Sequence, residues 1–194
     1  MRRIVAALAV VLATTAVFVA PASADSPPTR GNVVETLVAK SGGGALDRNP
    51  FDYDILVQAV LAADLDGVLS DPNTDFTVFA PNDAAFKATV KELTGSYPTS
   101  EQAAFDAVAS FGIPTVTEVL LYHVVAGDSL NPFEVLFSRQ LEMANGGTLG
   151  VRFIRLLDAD PNNRDAYLNV FALNIKASNG VIHTVDRVLR PVDL

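Results

Sequence analysis

Residues 77–86 read TVFAPNDAAF, and this stretch decides how the surrounding chain folds. The run over residues 76–80 is short, aromatic and β-branched, which predicts a strand that Pro81 closes. A helix follows, because Asn82 or Asp83 can cap its free backbone amides. The stretch therefore predicts a strand that leads directly into a capped helix, with both of its phenylalanines buried.

A second informative stretch, residues 120–127, reads LLYHVVAG. It follows the capping-box pattern Thr115-x-x-Glu118, and its apolar run predicts a helix that ends at Gly127. Tyr122 and His123 lie within this run, so their side chains are expected to be at least partly buried.

The third stretch, residues 177–191, reads ASNGVIHTVDRVLRP. The Asn179-Gly180 pair is the strongest hairpin signal that a short sequence gives. It predicts two antiparallel strands, over residues 168–176 and 181–189, with the second strand central in its sheet. His183 lies in that strand, where a buried imidazole is expected to bond to the backbone.

In this order, the three stretches resemble the fasciclin domain family and match one complete domain over residues 31–192. The resemblance implies an α+β fold, in which two mainly antiparallel β-sheets form a wedge with several helices packed around it. It also implies an extracellular adhesion or interaction module with no enzymatic activity. In animal members the region that matches Tyr122 and His123 has been linked to integrin binding. An integrin-linked Asp-Ile pair of the family is replaced by Asn174-Ile175.

The order of the expected elements agrees with an α+β domain. Helices are predicted mainly in the first two thirds, and strands beyond about residue 140, without regular alternation of the two. The expected elements outside the three stretches are helices capped at Asn32 and at Thr99, a helix over residues 51–66, and strands over residues 141–143 and 148–157.

The N-terminus has the pattern of a secretory signal peptide over residues 1–24. Arg2 and Arg3 precede an apolar run over residues 4–20, and an A-x-A site ends at Ala24. Residues 25–30 are expected to form a flexible leader. These features predict a secreted mature chain of bacterial type with no membrane span, and they leave its oligomeric state open.

Composition excludes several classes of protein. The 194 residues contain no cysteine, which excludes disulfides, thiolate catalysis and zinc ribbons. The formal net charge of −8 argues against a nucleic-acid partner, because phosphate binding needs a basic face.

Catalytic and metal-binding patterns are sparse. His123 and His183 are the two histidines, and neither lies in a metal-binding or nucleophile motif. The run Asp158-x-Asp160-x-Asn162-x-x-Asp165 crowds oxygen ligands as a calcium loop does, but it lacks the glycine and glutamate of an EF-hand. We expect no catalytic residue, no cofactor and no metal, with this run forming a solvated turn.

The leading hypothesis is an interaction module whose partner is an extracellular protein or polysaccharide. Its expected partner-binding region comprises Tyr122, His123, Asp128, Phe133 and Phe137, with the exposed contacts in residues 128–137. The alternative is an exported carrier of a small apolar ligand, which needs an apolar pocket of about 300 Å³ or more. A hydrolase that uses one of the two histidines with a nearby carboxylate is a third reading.

Overall fold

The computed structural model describes residues 30–192, which form seven helices and eight strands. The expected signal peptide over residues 1–24, and residues 25–29 of the expected leader, lie outside the described residues. The helices are α1 (Val33–Lys40), α2 (Asp54–Ala62), α3 (Asp66–Leu69), α4 (Asp83–Thr94), α5 (Glu101–Ala109), α6 (Ile113–Leu121) and α7 (Pro132–Phe137). The strands are β1 (Phe76–Pro81), β2 (Val124–Ala126), β3 (Gln140–Glu142), β4 (Thr148–Arg152), β5 (Arg155–Leu157), β6 (Ala166–Tyr167), β7 (Ile175–Ala177) and β8 (Gly180–Val185).

The first sheet has the strand order β2-β1-β8-β7. Its two central strands, β1 and β8, run parallel and pair over six residues, and every residue of both strands is buried. Pro81 is the last residue of β1, where it pairs with Val185, so the strand ends at this proline as expected. The predicted hairpin at Asn179-Gly180 is confirmed, since β7 pairs antiparallel with β8 across it.

Gly180 is needed where β8 begins beside β1. A Cβ atom at this position would overlap the backbone carbonyl group of Phe76. The glycine therefore allows the two central strands to approach each other at the start of their parallel ladder.

The second sheet is antiparallel, with the order β3-β4-β5-β6. The single strand expected over residues 148–157 is a hairpin, and Phe153 takes a positive φ of 53° in its turn. The single strand expected over residues 168–176 is also wrong. Leu168 makes only an isolated bridge to Val185, because the chain crosses here from the second sheet to the first.

Two apolar clusters fill the core. One joins α1, α2, α4, α5 and α6 to the first sheet and contains Phe86, and the other joins the two sheets and contains Phe79. The expected burial of both phenylalanines is thus confirmed, with β1 between the two clusters. Helices and two mainly antiparallel sheets together give the expected α+β architecture.

The expected helix caps at Asn32 and Asn82 are confirmed, and the cap expected at Thr99 is displaced by one residue. Asn32 forms a capping box with Glu35, Asn82 accepts from the Ala85 amide, and Gly95 ends α4 in the left-handed region. The N-cap of α5 is Ser100 rather than Thr99. The helix expected over residues 51–66 is shorter, because Asp64 adopts a positive φ of 56° between α2 and α3.

The helix expected to run from Thr115 to Gly127 is wrong beyond Leu121. The helix α6 begins two residues earlier, after Gly112, and ends at Leu121. Residues 124–126 instead pair antiparallel with β1, so long-range pairing overrides the helical signal of the same apolar residues.

Candidate functional site

Tyr122 lies at the C-cap of α6, with its ring in the cluster between the two sheets. Its hydroxyl donates a hydrogen bond of 2.8 Å to the carbonyl oxygen of Thr148, and the residue is 1% exposed. Burial raises the pKa of Tyr122 to about 12, and the charge of Asp158 adds to the rise. The side chain therefore joins the end of α6 to the second sheet. The expected burial of Tyr122 is confirmed.

His123 follows in the turn before β2 and is also buried. Its Nδ1 lies 2.7 Å from the Val119 carbonyl oxygen, and its Nε2 lies 2.8 Å from the Leu189 amide. These partners require a proton on Nδ1 and a lone pair on Nε2, which is the neutral ring. Burial lowers the pKa of His123 to about 4, so the ring stays neutral near pH 7.

His183 takes the opposite tautomer within β8. Its Nδ1 accepts from the Asn174 amide at 3.2 Å, and its Nε2 donates to the Leu130 carbonyl oxygen at 2.9 Å. Burial lowers the pKa of this ring as well. The expected bonding of His183 to the backbone is confirmed, and one of its bonds reaches the segment that leads into α7.

The segment that leads into α7 is also bound to β1. The hydroxyl of Thr77 donates to the Asp128 carbonyl oxygen at 2.7 Å and accepts from the Leu130 amide at 2.8 Å. Together with His183, it attaches residues 128–130 to both central strands of the first sheet. These contacts span more than fifty residues, and no local sequence signal identifies them.

A capping box starts α7. Asn131 accepts from the amides of Phe133 and Glu134, while the Glu134 side chain accepts from the Asn131 amide at 2.6 Å. Val135 is fully buried, whereas Phe133 and Phe137 are 71% and 82% exposed. The two exposed rings are four residues apart, so they lie on one face of the helix.

An open groove of about 690 Å³ adjoins α7. It lies between β2 and β3, which are edge strands of the first and second sheets, and one hydrogen bond from the Ala144 amide to the Val124 carbonyl oxygen links the two sides. Its lining consists of Val125, Ala126, Asp128, Leu130, Ser138, Gln140, Leu141, Glu142, Met143, Ala144 and Gly146. We call this groove, together with Phe133 and Phe137, the α7 surface.

The five residues of the expected partner-binding region separate into two groups. Asp128 lines the groove, and Phe133 and Phe137 are exposed on α7, so these three belong to one surface. Tyr122 and His123 are buried, and their polar atoms bond within the chain. Sequence reasoning missed the contribution of β3 to the groove, because it depends on how the two sheets meet.

The Asp158–Asp165 run is held by arginines. Asp158 accepts from the Arg190 amide at 3.0 Å, and the Arg190 side chain lies 3.3 Å from Asp160 Oδ2. Asp165 pairs with Arg155. Because backbone and guanidinium groups use these carboxylates, the run has the bonding of a structural turn.

The alternative of a small-ligand carrier needs an apolar cavity. The apolar cavity between α4 and α6 has a volume of only about 50 Å³, and Phe86, Val116 and His123 are among its lining residues. A second cavity, beside α1 and α2, has about 20 Å³. Both volumes are well below the roughly 300 Å³ of a typical ligand pocket.

Within residues 30–192, no single helix has the length and apolar content to cross a membrane. The pair α5 and α6 reaches that length only when taken together, and it is bent by 103°.

Comparisons with known proteins identify the family. A family model of the fasciclin domain matches residues 51–191. Two proteins of Synechocystis sp. are similar in sequence. The uncharacterized protein sll1735 is 31% identical over a match that covers 71% of this chain and 88% of its own length. Protein sll1483 is 30% identical over a match that covers 72% of this chain and 67% of its own length.

The fold is similar to that of a FAS1 domain pair from the insect cell adhesion molecule Fasciclin I. The TM-score is 0.59 at 16% identity, and the match covers 83% of this chain and 51% of the other. The chain thus spans about half of that two-domain structure. With a family match over most of its length and this shared fold, the chain belongs to the fasciclin domain family.

Proposed function

We propose that this protein is a secreted, non-enzymatic interaction module that binds an extracellular protein or polysaccharide through the α7 surface. The observation that carries the proposal is the pair of exposed rings, Phe133 and Phe137, on one face of a capped helix beside an open groove. Membership of the fasciclin domain family supports it, because these domains are in general adhesion or interaction modules.

The construction of the α7 surface favours binding. Aromatic residues supply much of the binding energy at interfaces, and they do so best when little order must be created on association. Here the capping box of Asn131 and Glu134 fixes the helix, and buried Val135 anchors it. The two rings are therefore displayed on a frame that is already folded.

The charge of the α7 surface indicates the chemistry of its partner. Asp128 and Glu142 line the groove and Glu134 lies on α7, with Arg139 as the neighbouring cation. Acidic groups outnumber basic groups around the two apolar rings. This favours a partner whose surface carries basic or hydroxyl groups next to apolar groups.

The non-enzymatic part of the proposal is supported by the bonding of the histidines. Both ring nitrogens of His123 and of His183 are used by backbone groups. Neither ring is available to accept a proton from a nucleophile in an open cleft, which general-base catalysis requires. Secretion is supported by the sequence of residues 1–24, and the exported protein is expected to begin at Asp25.

The experiment measures binding of the fluorescently labelled exported protein to cell-surface material of the producing organism. The double variant Phe133→Ala/Phe137→Ala should keep the wild-type unfolding midpoint and lose about tenfold or more in affinity. Phe51→Ala is the matched control, since Phe51 is 75% exposed but lies in the loop before α2. Protease or glycosidase treatment of the material distinguishes a protein partner from a polysaccharide. Equal binding by both variants and the wild type would disprove the role of α7.

A further inference from the structure

Three helices of the protein begin with an acidic residue at the same place. Asp54, Asp83 and Glu101 are the first residues of α2, α4 and α5, and one carboxylate oxygen of each lies within 4.8 Å of the others. Asp54 also belongs to a second group of the same dimensions, with Asp47 and Asp52. We call these five residues the acidic cluster.

Asp54 is the unusual member of the acidic cluster. It is completely buried, and neither of its carboxylate oxygens has a hydrogen-bond partner. One buried oxygen of Asp52 and one of Asp83 also lack a partner. Buried carboxylates are normally paired with other groups or coordinate metals. Four buried carboxylate oxygens without a hydrogen-bond partner in one cluster therefore indicate that this cluster binds a ligand.

The groups that surround the acidic cluster do not satisfy these four oxygens. Lys87 binds Glu101 at 2.8 Å, and the Asp47 amide also donates to Glu101. The Ile55 amide donates to the other oxygen of Asp83. The positive ends of three helices favour negative charge here, and Lys87 pairs with Glu101 rather than with any of the four oxygens that lack a partner.

We propose that the acidic cluster is a Ca²⁺ site centred on Asp54, whose carboxylate belongs both to the group with Asp83 and Glu101 and to the group with Asp47 and Asp52. Ca²⁺ binds only oxygen ligands, at about 2.3–2.6 Å, so ligands on opposite sides of one ion are separated by roughly 5 Å. Within each of the two groups the carboxylate oxygens lie within 4.8 Å of one another, which fits this requirement. Asp47 is exposed and gives the ion a route from solvent.

Protonation is the competing way to remove the charge. Burial, followed by the charges of Asp52, Asp47 and Glu101, raises the pKa of Asp54 to about 6. Burial and the neighbouring Asp52 carboxyl raise the pKa of Asp83 to about 8. The proposal departs from the expectation of no metal, and it concerns residues other than the Asp158–Asp165 run.

The test is thermal unfolding of the full chain at pH 7.5 in EDTA, in CaCl₂ and in MgCl₂, together with calorimetric titration of Ca²⁺. Ca²⁺ at about one hundred times its Kd should raise the unfolding midpoint by about 5–10 °C. Mg²⁺ should raise it less, because its small octahedral shell tolerates fewer carboxylates.

The variant Asp54→Asn tests whether Asp54 is a ligand of Ca²⁺ or has only a structural role. In EDTA this variant should unfold at a higher temperature than the wild type, because it removes one unpaired charge, and in CaCl₂ it should gain nothing. Asp66→Asn is the matched control, since Asp66 is the first residue of α3 and lies outside the cluster, so its Ca²⁺ response should equal that of the wild type. No heat and no shift with Ca²⁺, an equal shift with Mg²⁺, or a shift that persists in Asp54→Asn would each overturn the proposal.

Discussion

His183 donates a hydrogen bond from Nε2 to the carbonyl oxygen of Leu130, 2.9 Å away, although 53 residues separate them. The bond connects a central strand of the first sheet to the segment that leads into α7. Because Leu130 also lines the groove, a buried imidazole helps to position the α7 surface without being part of it.

Replacing His183 by alanine is therefore expected to loosen residues 128–137 as well as to destabilise the domain. The loss of two hydrogen bonds and the cavity should cost about 2–4 kcal/mol in the free energy of unfolding. Hydrogen exchange of the backbone amides in residues 128–137 should become faster at native conditions. His123→Ala is the control, because it removes another buried imidazole that does not contact this segment. Equal exchange in the two variants would show that His183 does not position α7.

Gly180→Ala tests the close approach of β1 and β8. The added methyl group must displace the Phe76 backbone, so we expect a loss of about 1–3 kcal/mol or more in urea unfolding. Gly67→Ala is the matched control, since a Cβ atom there meets nothing within 4 Å and the position is helical. The control should be neutral or slightly stabilising, by up to about 1 kcal/mol. An equal effect of the two substitutions would contradict the proposed packing.

The local sequence correctly predicts those elements that are determined by a few neighbouring residues. The caps at Asn32 and Asn82 and the hairpin at Asn179-Gly180 are such cases. Residues 124–126 were wrongly predicted as helix, because only the position of β1 decides that they form a strand. The family resemblance predicts the overall α+β fold correctly even so, because it rests on three stretches that are far apart in the sequence.

The candidate sites were less predictable than the fold. The exposed stretch with Asp128, Phe133 and Phe137 was expected from sequence, whereas the groove beside it requires the meeting of two sheet edges. The acidic cluster was not expected at all. Asp54, Asp83 and Glu101 are separated by 29 and 18 positions and come together only through the packing of α2, α4 and α5.

Tyr122→Phe isolates the hydroxyl that joins α6 to the second sheet. The ring remains, and the Thr148 carbonyl oxygen loses its donor, so the free energy of unfolding should fall by about 1–2 kcal/mol. Partner affinity of the folded variant should equal that of the wild type, because the residue is buried. Wild-type stability combined with abolished binding would mean that Tyr122 contacts the partner directly.

The pH dependence of stability contains a contribution from His123 whose sign is fixed by its burial. The pKa of His123 is about 4 in the folded protein and about 6.5 in the unfolded chain, so the unfolded chain binds the proton more tightly. This stabilising contribution is complete above pH 6.5 and is lost as the pH falls towards 4, by about 3 kcal/mol. Asp54 and Asp83 act in the opposite direction, because their raised pKa values destabilise the folded state as the pH rises. An NMR titration of the imidazole resolves the two effects, with an expected midpoint near pH 4 and the Nδ1–H tautomer above it. A midpoint near 6.5 would show that the ring is accessible to solvent and available to a partner.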